Sequence, residues 1–278
     1  RFVRRKMATD IVLSIPGRGN TYFYFTNMGK DGFSREQQRE IAALIRSYRE
    51  RYPKLEIPVV QDFGMEEGTR FSGKKYGDFA ACRDNAVYNA DLHSISYNHI
   101  RVSKMPADLS PEDLQSIMDR YETVKLVSGE AAGIRAELMN RGTPPPRIDE
   151  EIRRAARGIL ARQPERCRPS GTDAHPGCID PGPHNGLPLE DPCFADVWAV
   201  RQLEETMSVR RLTVHELGHA ISETYAILKE KKIKKLFSTC RDGFENLDEF
   251  CAECFMASEY TGGIPLAARF ASILAEKL

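Results

Sequence analysis

The chain carries no surplus of charge: across 278 residues, 40 lysines and arginines meet 40 aspartates and glutamates. Nothing in that balance favours nucleic acid or an anionic membrane as a partner. No run approaches the roughly eighteen apolar residues that a membrane span needs, so none is expected. Internal repeats and low-complexity tracts are missing too, and the fold is therefore not an array of copied units. No secretory leader is visible, and the chain opens on Arg1 rather than methionine, as a processed or trimmed product would. Histidine is scarce at six residues, so a regular spacing between two of them carries information.

What is present suits a globular protein. Apolar residues at 41% and charged residues at 29% give one large domain or two modest ones an ample core. Arg1, Arg4, Arg5 and Lys6 form a short basic run, expected to be solvated at a frayed terminus. Seven cysteines stand at 82, 167, 178, 193, 240, 251 and 254, an odd number that leaves at least one unpaired within the chain. Three of them punctuate residues 164–193, where seven prolines and four glycines break any periodicity. A disulfide there would restrain an irregular flap. That leans towards an oxidising compartment, hence a secreted or extracellular protein. A second metal site from Cys167, His175, Cys178, His184 and Cys193 is the rival reading, but its spacing matches no closed zinc module.

The pattern along the chain is α+β. Two strands, Ile11 to Ile15 and Thr21 to Phe25, are expected around a Gly17–Asn20 turn. Ser34 and Gln37 form a capping box for a helix reaching Arg51, with Ile41, Leu44, Ile45 and Tyr48 at core spacing. Glu56 to Val60 reads as a strand that Pro58 places at a sheet edge. Ser110-Pro111 opens a helix, with a break near Ser128-Gly129, that continues to Arg141-Gly142. Pro144 to Pro146 reads as a stiff spacer and Asp149 to Arg162 as a further helix. Beyond the flap, helices are expected over 207–231, 246–260 and 264–277. The organisation is an N-terminal α/β lobe (1–163), the flap (164–193) and a helical lobe (194–278), unless 1–278 is one integrated domain.

Two of the six histidines fall in Thr213-Val-His-Glu-Leu-Gly-His. Residues four apart share a helix face, so His215 and His219 can reach one ion. Glu216 lies beside it, placed to take a proton from an activated water. The apolar side of this helix runs through Leu217, Ile221 and Leu228. A third ligand following the pattern His-Glu-x-x-His-x-x-Gly-x-x-His would need glycine at 222 and histidine at 225, where Ser222 and Tyr225 stand. It must come from elsewhere. Asn246-Leu-Asp-Glu-Phe-Cys-Ala-Glu offers Glu249, with Glu253 one turn on to accept a hydrogen bond from the outer nitrogen of a ligand histidine. Phe250, Ala252 and Phe255 would bury that site. Cys251 and Cys254 form a Cys-x-x-Cys pair, more simply read as two buried thiols.

These segments, residues 208 to 258, resemble the gluzincins, metallopeptidases whose third zinc ligand is a glutamate on a later helix. They are closest to the anthrax lethal factor catalytic domain and its secreted bacterial relatives. The resemblance implies a zincin-like α+β fold, one Zn²⁺ per chain on His215, His219 and Glu249, and Glu216 as general base. It implies a zinc endopeptidase acting on protein or peptide, with an edge strand of the N-terminal sheet pairing with extended substrate and the flap capping the cleft. One departure stands out. The tyrosine that helps such enzymes stabilise the oxyanion is missing from Ser238 to Glu245, leaving Tyr225 and Tyr260 as candidates. Two further readings follow: a zincin-fold binding protein without turnover, or a toxin or effector whose N-terminal half serves docking.

Overall fold

A computed structural model describes residues 11–25, 32–63, 85–167, 187–206 and 208–278. The basic run at 1–6, Cys82, His175, Cys178 and His184 lie outside them. The strands are β1 (Ile11–Leu13), β2 (Thr21–Tyr24), β3 (Val59–Phe63), β4 (Ala86–Asn89) and β5 (Ser94–Asn98). The helices are α1 (Arg35–Arg51), α2 (His99–Val102), α3 (Pro111–Asn140), α4 (Pro145–Arg162), α5 (Phe194–Glu205), α6 (Val209–Thr224), α7 (Lys231–Ser238), α8 (Leu247–Tyr260) and α9 (Pro265–Ala275). The protein is thus mixed α/β, mostly helical, with one small mixed sheet among the described residues. It divides into two compact units. The first draws on residues 1–109, 207–227 and 278, the second on 110–206 and 228–277. Contacts therefore cut the chain elsewhere than composition does at 163 and 193.

In the first unit the strand order is β1-β2-β3-β5-β4, with the two central pairs parallel and the two outer pairs antiparallel. Gly17 takes the left-handed conformation in the β1–β2 turn (φ 76°), which glycine adopts without a steric cost. Arg49 of α1, almost fully buried, holds that turn. Its guanidinium donates to Gly19 O at 2.6 Å and to Thr21 Oγ1 at 2.7 Å. The capping box forms as expected: Gln37 N donates to Ser34 Oγ at 3.1 Å, and Ser34 N to Gln37 Oε1 at 2.9 Å. Ile41, Leu44, Ile45 and Tyr48 of α1 are all buried.

Pro58 does not mark an edge. The strand begins one residue after it, and β3 lies between β2 and β5. A proline just before the first ladder residue forfeits no ladder donor, and its carbonyl still accepts from Tyr22 N at 2.9 Å. The sheet edges among the described residues are β1 and β4.

In the second unit α3 runs unbroken through Ser128-Gly129. One interior glycine costs about 1 kcal/mol. Burial of Ile117, Tyr121, Val124, Val127 and Ala131 along the same helix outweighs it. The triple proline is no spacer either. Pro144 is the N-cap of α4, and Pro145 and Pro146 sit in its first turn, where the missing N–H groups would have had no helical partner. Ala131, Ile148 and Ile152 make the core between α3 and α4. Around α8, the Phe250 ring meets Phe237, Phe244 and Phe270 at centroid distances of 5.4, 5.0 and 6.3 Å.

The helix expected over 207–231 is two helices. α6 ends at Thr224, Ala226 turns left-handed (φ 54°), and a 3-10 turn at Ile227–Lys229 leads into α7. Ile227 is accordingly the fully buried residue there, rather than Leu228. Of the flap, the described ends are a 3-10 turn at Glu165–Cys167 and the turns leading to Cys193, the N-cap of α5. Cys167, Cys193, Cys240 and Cys254 are free thiols. No described helix is long and apolar enough to cross a membrane.

Candidate metal centre

The N-terminus of α6 is anchored by three sets of partners in its own unit. Ser208 Oγ accepts from Arg211 N at 3.1 Å. Val209 N and Arg210 N donate to the carbonyls of Pro106 and Ala107, both at 2.9 Å, so the first-turn donors do not go begging. Arg210 also pairs with Glu40 at 2.8 Å and Asp108 at 3.3 Å. One turn further, Tyr97 of β5 donates its hydroxyl to Thr213 Oγ1 at 3.0 Å, and Thr213 Oγ1 donates in turn to Val209 O at 2.8 Å. These bonds fix the rotation of the helix, and with it the direction of His215.

That rotation aims both imidazoles one way. His215 Nε2 and His219 Nε2 are 3.1 Å apart, with the rings inclined at 73°. Glu216 is buried, at 4% exposure, in the intervening position. Burial pushes the Tyr97 phenol far above its ordinary range; the Thr213 hydrogen bond opposes the rise and the charge of Glu216 adds to it. Tyr97 is therefore a neutral donor, and the carboxylate of Glu216 is felt at the base of the same helix.

Glu249 completes the set. One donor atom from each of His215, His219 and Glu249 lies within 4.8 Å of the others, the one such group of three His, Cys, Asp or Glu side chains among the described residues. Locally, Asn246 caps α8 by accepting from Asp248 N and Glu249 N at 2.8 and 3.0 Å, which holds Glu249 in the first turn. Phe250, Ala252 and Phe255 beside it are buried, as are Cys251 and Cys254. The spacing of the two nitrogens suits a small tetrahedral cation. Zn–N distances of 2.0–2.1 Å at a tetrahedral angle put two nitrogens about 3.3 Å apart, against 3.1 Å here.

Glu253 pairs with a residue that the sequence reading did not name. Its Oε1 accepts from Arg201 Nη1 of α5 at 2.6 Å, and the two side chains are only 3% and 10% exposed. No signal in the sequence singles Arg201 out, since Asp196 and Gln202 interrupt the same largely apolar stretch from Phe194 to Leu203. The two tyrosines stand as follows. Tyr225 accepts from Lys54 N at 3.3 Å, packs edge-on against Tyr52 and lies under the Lys54 ammonium. Tyr260 ends α8, about 16 Å along the axis from Glu249 at 1.5 Å per residue. A contact that sequence reasoning missed is Tyr88 of edge strand β4, which donates to Glu223 Oε2 at 2.9 Å and meets His93 Nδ1 at 2.9 Å. Glu223 follows His219 by four residues and so shares the imidazole face of α6.

Set against protein-family models, curated proteins and solved structures, the chain matches none of them.

Proposed function

We propose that the protein is a zinc-dependent endopeptidase, with His215, His219 and Glu249 holding the metal and Glu216 serving as general base. The observation that carries this is the approach of two imidazoles and one carboxylate to within 4.8 Å, since two nitrogens and one oxygen leave a tetrahedral cation one position short. A closed structural site fills all four positions, usually with cysteine and histidine. When bound, the metal would supply Lewis acidity and bring the pKa of water towards neutrality. The chain's own residues account for the rest. Glu216, buried beside the imidazoles, takes the proton from the attacking water and hands it to the departing amine. Strand β4, an edge of the sheet among the described residues, is tied to the imidazole face of α6 through Tyr88 and Glu223 and would carry an extended peptide by strand addition.

The test is Glu216→Gln. The variant is expected to bind one zinc per chain as wild type does, while cleavage of a peptide library falls by about 10²–10⁴-fold. Undiminished cleavage would refute the role of Glu216, and wild-type protein that binds no zinc would refute the site. A second reading, a zinc-binding protein without turnover, is favoured by one observation: no tyrosine stands at residues 238–245, just ahead of α8. One zinc per chain with no cleavage by wild type would select it.

A further inference from the structure

From residue 229 to 235 five of seven positions are lysine, a concentration hidden by the neutral whole-chain balance. At 100° per residue, Lys234, Lys231, Lys235 and Lys232 follow one another around α7 over an arc of about 160°. All four are exposed, Ile233 is buried, and Leu236 and Phe237 are half-buried. The Phe237 ring meets Phe250 of α8 at 5.4 Å, so the apolar side of α7 is already spent on its own unit. Two acids bear on the patch. Glu276 pairs with Lys232, and Glu230 pairs with Lys277. Lys231, Lys234 and Lys235 have no ion-pair partner among the described residues, and Lys229 adds a further exposed charge.

We propose that this lysine face docks the protein on an anionic phospholipid bilayer, with α7 lying flat against the headgroups. The chemistry of the face selects that partner. It presents no aromatic or aliphatic anchor, the groups that carry most of the energy of a protein interface. It presents neither arginine nor an amide, the groups that read base edges and grip single phosphates bidentately. Lysine is a hydrated point charge, suited to a diffuse plane of phosphate and carboxylate. The arc is centred about 140° around the helix from Phe237, the residue whose ring meets α8. Because the apolar residues point inward, attachment is electrostatic, reversible and sensitive to salt. The inference is independent of the metal.

The experiment is co-sedimentation of the full chain with vesicles of roughly three parts phosphatidylcholine to one part phosphatidylserine. Wild type is expected to pellet with them, to ignore pure phosphatidylcholine, and to be released when salt rises from about 0.05 M to about 0.5 M. Each lysine at the surface is worth about fivefold in partition. Replacing Lys231, Lys234 and Lys235 together by glutamine should therefore lower partition about a hundredfold, with an unchanged melting temperature showing that the fold survives. Failure of wild type to pellet, or equal binding by the triple variant, overturns the proposal. Binding to duplex DNA without binding to vesicles overturns it in favour of nucleic acid. If the triple variant melts early, wild type alone decides, through its salt and phosphatidylserine dependence.

Discussion

Arg201→Ala removes the guanidinium that stands 2.6 Å from Glu253 and leaves the carboxylate behind in a place where it is 3% exposed. Little water can reach it, so screening discounts the loss only slightly. Breaking a buried pair by removing one member costs about 3–5 kcal/mol. For a unit of this size a kcal/mol corresponds to about 2–4 °C, so melting should fall by about 6–20 °C. Urea unfolding followed by far-ultraviolet circular dichroism measures the free energy, and calorimetry the temperature. The control is Arg201→Met combined with Glu253→Leu, which deletes both charges while filling the volume. Apolar replacement of a whole buried pair is commonly neutral or stabilising, so the double variant is expected near or above wild type. A single variant that loses less than about 1 kcal/mol, or a double variant as weak as the single, would sink the reasoning.

Gly243→Ala places a methyl group 2.6 Å from Val197 Cγ1 and should cost about 1–3 kcal/mol in urea unfolding. Adding Val197→Ala makes the room, so the pair should lose less than the sum of the singles. At alkaline pH the buried thiol of Cys240 matters. Burial first, then the neighbouring Cys193, pushes it from an ordinary 9.0 up to about 12. Its contribution is complete below pH 9, where both states are protonated. Between about 9 and 12 the unfolded chain releases the proton and the folded chain keeps it, so stability falls as pH rises, by up to about 1.4 kcal/mol per unit. Cys240→Ala should flatten that slope; an unchanged slope would contradict it.

The parts of the fold legible in the sequence are those where local chemistry decides. The capping box at Ser34 and Gln37 and the 3.6-residue spacing of Ile41, Ile45 and Tyr48 specify α1 without tertiary help. Proline misled at Pro58 and Pro145 because its cost depends on which N–H is lost, and that depends on neighbouring strands and on register. The expected break at Gly129 failed for a related reason: packing along α3 outweighs one glycine. No residue type announces the left-handed Ala226 that parts α6 from α7, so a single helix was expected there. Of the site, the imidazole pair and the glutamate between them were legible because they sit on one helix. Glu249 needed the spacing of a second segment and a resemblance. Arg201 and Tyr88 were out of reach, since each acts on a residue more than fifty positions away.

The route of the chain between its two units bears on biosynthesis. The strands of the sheet lie within the first 109 residues, yet α6, whose Thr213 receives the Tyr97 hydroxyl, comes only after residue 206. At about 5–20 residues per second, a ribosome needs roughly 5–20 s to make the intervening stretch. Throughout that delay the nascent sheet must wait with one covering element still unmade, a state in which chaperones and aggregation compete. Cutting the gene after residue 163 would make the wait permanent.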